Sequence, residues 1–269
     1  MHIKPKKSLG QNFLTDKNIR NKIIDSCGLK NTDTVLEIGA GRGEMTPLIA
    51  ALAGMVFAVE LDKGLLPDLG KAISGYRNVR IIKEDILKVD IASLAGQGGH
   101  KMTVIGNIPY YISSPIITRL IRQKDVIGDI FVTVQKEFAQ RVAAVPGSKD
   151  YGSLSCFVRY YAEPKMLFTI KRNSFFPAPK VDSAFLHLRV SHEPRVKVND
   201  EVSFFNLVRS SFNQRRKTLR SSLKGIVDAQ ALSGFFDERR MDPNTRPEGL
   251  SIEDFAALAD TPNIFKKNP

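Results

Sequence analysis

Cysteine and histidine are scarce in this chain of 269 residues, which has two of the former and four of the latter. Cys27 and Cys156 stand far apart, in neither metal nor redox spacing, and His2, His100, His187 and His192 form no ligand motif. That pattern argues against a bound metal and fits a reducing compartment. Long hydrophobic runs are missing too, and the charged start (Met1–Lys7) is not followed by an apolar stretch. The expectation is a cytoplasmic protein that neither spans nor is anchored in a membrane. Acidic residues are also in deficit, with 28 Asp+Glu against 40 Lys+Arg and a net charge of +12. Residues 191–269 carry 13 basic and 11 acidic side chains, a net of +2, which leaves +10 for residues 1–190. Within the former, Arg209, Arg215, Arg216, Lys217, Arg220 and Lys224 follow one another with no acid between them. Such an excess favours a polyanionic partner, with nucleic acid first in line. A solvated basic face is the alternative.

The length allows one large domain or two modest ones. From Thr32 to about Val190, short apolar strands alternate with helical periodicity. "TVLEIGAG", "MVFAVE", "VRIIKED", "MTVIGN" and "IFVTVQ" read as strands. "GEMTPLIAALAG" places Met45, Leu48, Ile49 and Leu52 on one helical face, and "SPIITRLIRQ" does the same with Ile116, Ile117, Leu120 and Ile121. This alternation predicts an α/β fold with a doubly wound, mostly parallel sheet and ligands at the carboxyl ends of its strands. An earlier helix is predicted too, capped by Asp16, striped by Ile19, Ile23 and Ile24, and ended by Gly28. "KMLFTI" and "AFLHLRV" read as later strands around a proline-rich loop. "SHEPRVKVND" (191–200) reads as a linker, after which the periodicity is helical throughout. Two domains follow, 1–190 and a small all-helical 191–269.

The predicted strand ends carry the chemistry. The first runs into Gly39-Ala40-Gly41-Arg42-Gly43, glycines that let backbone approach a ligand. Glu44 stands where a dinucleotide fingerprint wants glycine, which counts against a nicotinamide or flavin enzyme. The second ends in Glu60, 21 residues after Gly39, a place from which a carboxylate can accept from both hydroxyls of an adenosine ribose. A surface glutamate is the plainer reading. The third ends in Glu84-Asp85, where Asp85 is either an acceptor for an adenine amine or a turn aspartate. The fourth ends in Asn107-Ile108-Pro109-Tyr110, where proline stops the ladder. All four ends would line one crevice.

"EIGAGRG", Glu60, Asp85 and "NIPY" resemble the successive motifs of a class I S-adenosylmethionine-dependent methyltransferase of Rossmann-like fold. "KKSLGQNFL" (6–14), "NIPYYISSPII" (107–117), "FFPAPKVDSAF" (175–185), "FNQRRKTLR" (212–220) and "RPEGLSIEDFAAL" (246–258) resemble, more narrowly, the KsgA/RsmA family of small-subunit ribosomal RNA adenine dimethyltransferases. The resemblance runs over nearly the whole chain. Ala40 departs from the family's usual proline. The resemblance implies S-adenosylmethionine as methyl donor, contacted by Asn12, Leu14, Gly39, Gly41, Glu60, Asp85 and Asn107. It implies 16S rRNA in the 30S subunit or its precursor as partner, two adjacent adenosines of a 3′-terminal hairpin as target, and N6,N6-dimethyladenosine as product. A monomer is the default.

An adenine amine is a poor nucleophile until its nitrogen pyramidalises. The Asn107 side-chain oxygen and a backbone carbonyl, with that of Pro109 first choice, suit its two hydrogens. The target base would be flipped out and stacked on Tyr110, with Phe176 on the opposite face and Phe175 as second choice; the plainer reading of both phenylalanines is a core anchor for the loop. Tyr111 reads as packing. Phosphate contacts are expected from Lys4, Lys6 and Lys7 and from the Arg209–Lys224 cluster. Three other readings stay open: a large-subunit enzyme of the macrolide-resistance type, a non-catalytic assembly factor, and, more distantly, a nicotinamide enzyme.

Overall fold

The computed structural model describes residues 5, 6, 9–95, 101–214 and 216–266. Its elements follow the chain as β1 (Phe13–Leu14), α1 (Lys17–Cys27), β2 (Thr34–Ile38), α2 (Thr46–Ala50), β3 (Met55–Val59), α3 (Leu66–Ala72), β4 (Val79–Ile82), α4 (Ile91–Leu94), β5 (Met102–Asn107), α5 (Ser113–Arg122) and β6 (Ile127–Gln135). Then come α6 (Lys136–Ala143), α7 (Ser153–Tyr161), β7 (Ala162–Ile170), β8 (Phe175–Phe176), β9 (Ser183–Val190), α8 (Glu201–Phe212), α9 (Leu219–Ser222), α10 (Ala229–Glu238) and α11 (Ile252–Ala259).

Seven strands form one sheet in the order β4-β3-β2-β5-β6-β9-β7. Neighbours from β4 to β6 are parallel and β9 runs antiparallel to β6. The chain steps outward from β2 to β4, then returns to β5 and continues the other way. The carboxyl ends of β2 and β5 therefore lie side by side with their following loops diverging, which opens a crevice between them. The β-rich core explains why the strands read so clearly: Val35, Leu36, Val104, Ile130 and Val132 are wholly buried, as parallel strands covered on both faces must be.

Local signals fixed most boundaries. Asp16 accepts from the Asn18 and Ile19 amides and Gly28 closes α1 at φ 58°, a left-handed turn that glycine adopts without penalty. In α5 the predicted stripe of Ile116, Ile117, Leu120 and Ile121 is completely buried. The helix expected from Met45 to Leu52 is shorter: α2 stops at Ala50, and Leu52 is exposed. The Leu52 amide turns back to the Ile49 carbonyl three residues earlier, so the last turn tightens and Leu52 stays off the buried face.

The chain divides into two compact units, and the division differs from the expected cut at 190. One unit comprises residues 1–139 and 163–192, and the other residues 140–162 and 193–269. Within the second, Tyr151, Cys156 and Tyr160 of the inserted segment are buried in a core with Phe204, Leu207 and Phe255. The Tyr160 ring lies 5.2 Å from that of Phe204, and its hydroxyl donates to Glu201 at 2.9 Å. Helix α7 thus finds its apolar partners in residues far along the chain. Alternation of strand and helix could not reveal that, because it registers local period only.

Candidate active site

The crevice at the strand ends is an open cleft with about 800 Å³ of empty space up to its mouth. Its floor begins at Gly39, whose φ of +72° favours glycine and whose approach to β5 is close, since a Cβ there would sit a tight 3.2 Å from the Asn107 carbonyl. The Gly39 and Ala40 amides donate to the Val59 carbonyl at 3.0 and 3.2 Å, which ties the turn to β3. Glu60 follows β3 and is buried; its two carboxylate oxygens accept from the Gly41 and Asp62 amides at 2.8 and 2.7 Å. Burial raises the Glu60 pKa, against these amides, which favour the charged form. Anchored this way, each oxygen keeps further acceptor capacity toward the cleft, as a pair of vicinal hydroxyls would need. Beyond it, Leu61, Leu65 and Ile86 line an apolar slot beside Asp85, whose Oδ1 accepts from the Leu87 amide at 2.9 Å. A flat base with an exocyclic amine fits that combination.

The segment before β1 closes the cleft from the opposite side. Asn107 Nδ2 donates to the Asn12 carbonyl at 2.7 Å, and Asn12 Nδ2 turns to the Gly10 carbonyl at 3.1 Å. The Gln11 side-chain amide and the Lys6 ammonium donate to Asp62 at 2.9 and 2.6 Å. Burial opposes the Asp62 charge, but Lys6, Gln11 and the Gly64 amide outweigh it and hold its pKa below the ordinary carboxylate value. Lys6 is therefore engaged in an internal ion pair, a different task from the phosphate contact expected of it. Gln11, Asp62, Leu61 and Ile86 were not singled out from sequence; Asp62 stands only two residues past Glu60, but its partners come from 51 and 56 positions away. Leu14 is buried in the core with Ile23 and Phe175 and is not among the residues that line the cleft.

On the target side, Tyr110 is half-buried and its hydroxyl shares a 2.5 Å hydrogen bond with Ser183. Burial pushes the phenol pKa up, which keeps it neutral. The pairing of β1 with β8 places Phe175 opposite Leu14 and Phe176 opposite Phe13. Strand alternation then sorts the two phenylalanines, leaving Phe175 3% and Phe176 61% exposed. Tyr111, expected as packing, is 62% exposed and lines the cleft mouth. The Pro109 carbonyl already accepts from the Ile112 amide and the Ser113 hydroxyl, both at 3.2 Å. With both lone pairs engaged it is at odds with the amine-acceptor role expected of it. A base would have to displace the Ser113 hydroxyl.

Comparison with known proteins adds the family. The description "Ribosomal RNA adenine dimethylase" matches residues 2–263. The chain belongs to the ribosomal RNA adenine dimethylase family. It is 42% identical over 255 residues to the ribosomal RNA small subunit methyltransferase A of Clostridium botulinum, covering 94% of this chain and 92% of that protein. A dimethyladenosine transferase from Plasmodium falciparum superposes with a TM-score of 0.76 at 26% identity, over 94% of this chain and 100% of that one. The 23S rRNA methyltransferase ErmE shares the fold, with a TM-score of 0.74 at 24% identity over 93% and 99% of the two chains. Membership makes this dimethylase an S-adenosylmethionine-dependent enzyme, with the α/β sheet and helical part described above as its methyltransferase fold.

Of the dimethylase's expected phosphate-binding residues, Arg209, Arg216, Lys217, Arg220 and Lys224 are exposed on the second unit. Lys4, Lys7 and Arg215 lie outside the described residues. Among the described residues no group of three or more His, Cys, Asp or Glu could hold a metal, and no helix is long and apolar enough to cross a membrane.

Beside the main cleft lies a smaller cavity lined by Glu37, Glu44 and Met45, which shares Phe13, Ile38, Gly39, Gly41 and Asn107 with it. Glu37 is 4% exposed, and neither its Oε2 nor the Thr46 hydroxyl has a hydrogen-bond partner. Burial pushes the Glu37 carboxyl up to about 7, and the Glu44 and Glu60 charges add to it. A folded-state value above the unfolded one contributes stability that is complete at low pH and disappears as pH rises toward 7. Thermal stability of the wild type should therefore fall between pH 5 and pH 8, and Glu37→Gln should flatten that decline. A Tm series across the range measures both, and equal slopes would show that Glu37 is not buried in its acid form.

Proposed function

We propose that this dimethylase transfers methyl groups from S-adenosylmethionine to the N6 of two adjacent adenosines in a 3′-terminal hairpin of 16S rRNA. It would do so on the 30S subunit or its precursor, in the cytoplasm and as a monomer. The observation that carries the reading is the juxtaposition at the end of β5: the tethered amide of Asn107, the fixed ring of Tyr110 and the cleft that begins at Gly39. The relative from Clostridium botulinum bears the small-subunit name, which favours 16S over 23S rRNA.

The residues present fit the methyl donor: Glu60 for the ribose, Asp85 with Leu61 and Ile86 for the adenine, and the Gly39–Gly41 backbone with Asn12 for the remainder. When bound, the donor supplies an electrophilic methyl group on sulfur. The chain's own part is positional. Asn107 Nδ2 is held by the Asn12 carbonyl, so the opposite branch of the amide, Oδ1, is the acceptor left for an amine hydrogen. Asn107 cannot act as a strong base. None is needed, because the methylated nitrogen becomes cationic and loses its proton readily. Holding the nitrogen in line is worth several kcal/mol, with about 7–11 as the upper range for well-oriented reactions. Tyr110 and the exposed Phe176 would stack on the flipped base, and their π faces favour the positive charge that develops on it.

The deciding assay is methyl transfer to 30S subunits lacking this modification, with 50S subunits in parallel and nucleoside analysis of the product. Dimethyladenosine confined to 16S rRNA is the expected result; transfer only to 23S rRNA would overturn the assignment. RNA affinity should also depend steeply on salt. Neutralising Arg209, Arg216, Lys217, Arg220 and Lys224 together should lower the slope of log affinity against log salt by roughly 0.7–0.9 for each phosphate that these side chains neutralise in the wild type. An unchanged slope would mark the cluster as a merely solvated face.

A further inference from the structure

Tyr110 presents its ring from beyond the end of a strand that has already stopped. After β5 the chain passes Pro109 and enters a single 3-10 turn of three residues, Tyr110–Ile112, with no side-chain cap. A turn this short has poor hydrogen-bond geometry and does not by itself fix the direction of an aromatic side chain. That direction is set from another strand. The Tyr110 hydroxyl shares its 2.5 Å hydrogen bond with Ser183 Oγ, across 73 positions of the chain. Ser183 is wholly buried at the start of β9, and among the described residues its hydroxyl has no other hydrogen-bond partner.

The register of the sheet gives this bond its consequence. Ser183 lies directly across from Gln135 of β6, while on the other side of β6 Asn107 lies across from Thr133. The anchor of the ring and the amide proposed to orient the amine are therefore indexed to one strand, about 7 Å apart along it at the ordinary rise. Ser183 also ends the segment that carries Phe176. Its neighbour Asp182 secures that segment: the carboxylate accepts from Lys171 Nζ and the Arg172 amide, and the carbonyl from the Lys136 amide, all at 3.0 Å. Both rings offered to the base thus share one frame. We propose that Ser183 is a positioning residue for methyl transfer: it holds the Tyr110 ring in the plane that the target adenine must meet, and so keeps the adenine amine in line. The inference rests on the stacking role given to Tyr110 under the proposed function. A stacked base tilts with the ring beneath it, and a displacement of about 1 Å at a reacting centre can cost on the order of 10²-fold in rate.

The test is a double-mutant cycle of Ser183→Ala and Tyr110→Phe, both of which keep the ring. Removing either hydroxyl leaves the other without its partner, so Tm should fall in each single variant and largely return in the double, where both partners are apolar. Transfer should not return with it. Single-turnover rates at saturating RNA and S-adenosylmethionine should fall roughly 10–100-fold in both single variants and in the double alike, between the loss of one neutral hydrogen bond and that of a displaced base. Donor affinity, measured by calorimetry, should be unchanged. A rate that recovers together with Tm in the double variant would show the bond to be merely structural and overturn the proposal. So would an unchanged rate in Ser183→Ala, or donor affinity that falls by the same factor as the rate. Tyr110→Ala, which removes the ring, should be slower than Tyr110→Phe; equal rates would sink the stacking role on which the proposal stands. Wild type inactive on 30S subunits would instead sink the proposed function itself.

Discussion

Replacing Asn107 by alanine should lower methyl transfer by at least about 10²–10³-fold, the loss seen when one positioned hydrogen-bonding group is taken from a reacting centre, while much of the methyl-donor binding survives. The asymmetry follows from what each part of the residue does. On the proposed reading the side-chain oxygen faces the amine, whereas methyl-donor contacts are spread over Gly39, Glu60, Asp85 and the 9–12 segment. Alanine also removes the hydrogen bond to the Asn12 carbonyl, so some weakening of donor binding is expected. Asn107→Asp separates the two effects. It keeps an acceptor but sets a negative carboxylate against that carbonyl, and should therefore harm donor binding more than alanine does. Single-turnover transfer together with calorimetric binding measures both quantities. Activity of Asn107→Ala within tenfold of wild type would remove the amine-orienting role.

The neighbouring phenylalanines should respond in opposite ways. Phe176→Ala removes a ring that is 61% exposed, so Tm should stay within about a degree, whereas transfer to RNA should fall roughly 5–150-fold, the equivalent of 1–3 kcal/mol for one stacked base. Phe176→Trp should retain most of the activity. Phe175→Ala removes a ring packed in the core with Leu14 and Ile23. It should cost about 3–5 kcal/mol of stability, with activity lost only as the fold is lost. Thermal denaturation and transfer rates on the three variants suffice. A strongly destabilised Phe176→Ala with unchanged transfer would show that the loop needs the ring for packing.

Why does one phenylalanine face outward and its neighbour inward? The motif "FFPAPK" contains both, and nothing in its composition says which side chain faces out. Pairing of Phe175 with Leu14 and of Phe176 with Phe13 decides it, because neighbouring residues on a strand point to opposite faces. The same limit hid Lys6. Its charge reads from sequence as one more phosphate contact, but its ammonium is 2.6 Å from a carboxylate that is almost entirely buried. The Pro109 carbonyl was likewise free on paper and is engaged in the fold.

Sequence alone determined the features that local chemistry controls. Apolar runs and their spacing set the strands of the parallel sheet, Asp16 and Gly28 set the ends of α1, and Gly39, Glu60, Asp85 and Asn107 fall at successive strand ends because Gly39 and Glu60 directly follow their apolar runs, Asn107 closes its own, and Asp85 stands three residues past Ile82. Only the tertiary structure decided what depends on partners distant along the chain: the assignment of 140–162 to the helical unit, the anchoring of the N-terminal segment on Asp62, and the isolation of Glu37. The reason is physical. Local pattern states which faces must be buried, whereas burial of a charge, and hence its proton, is set by the neighbours that long-range packing brings to it.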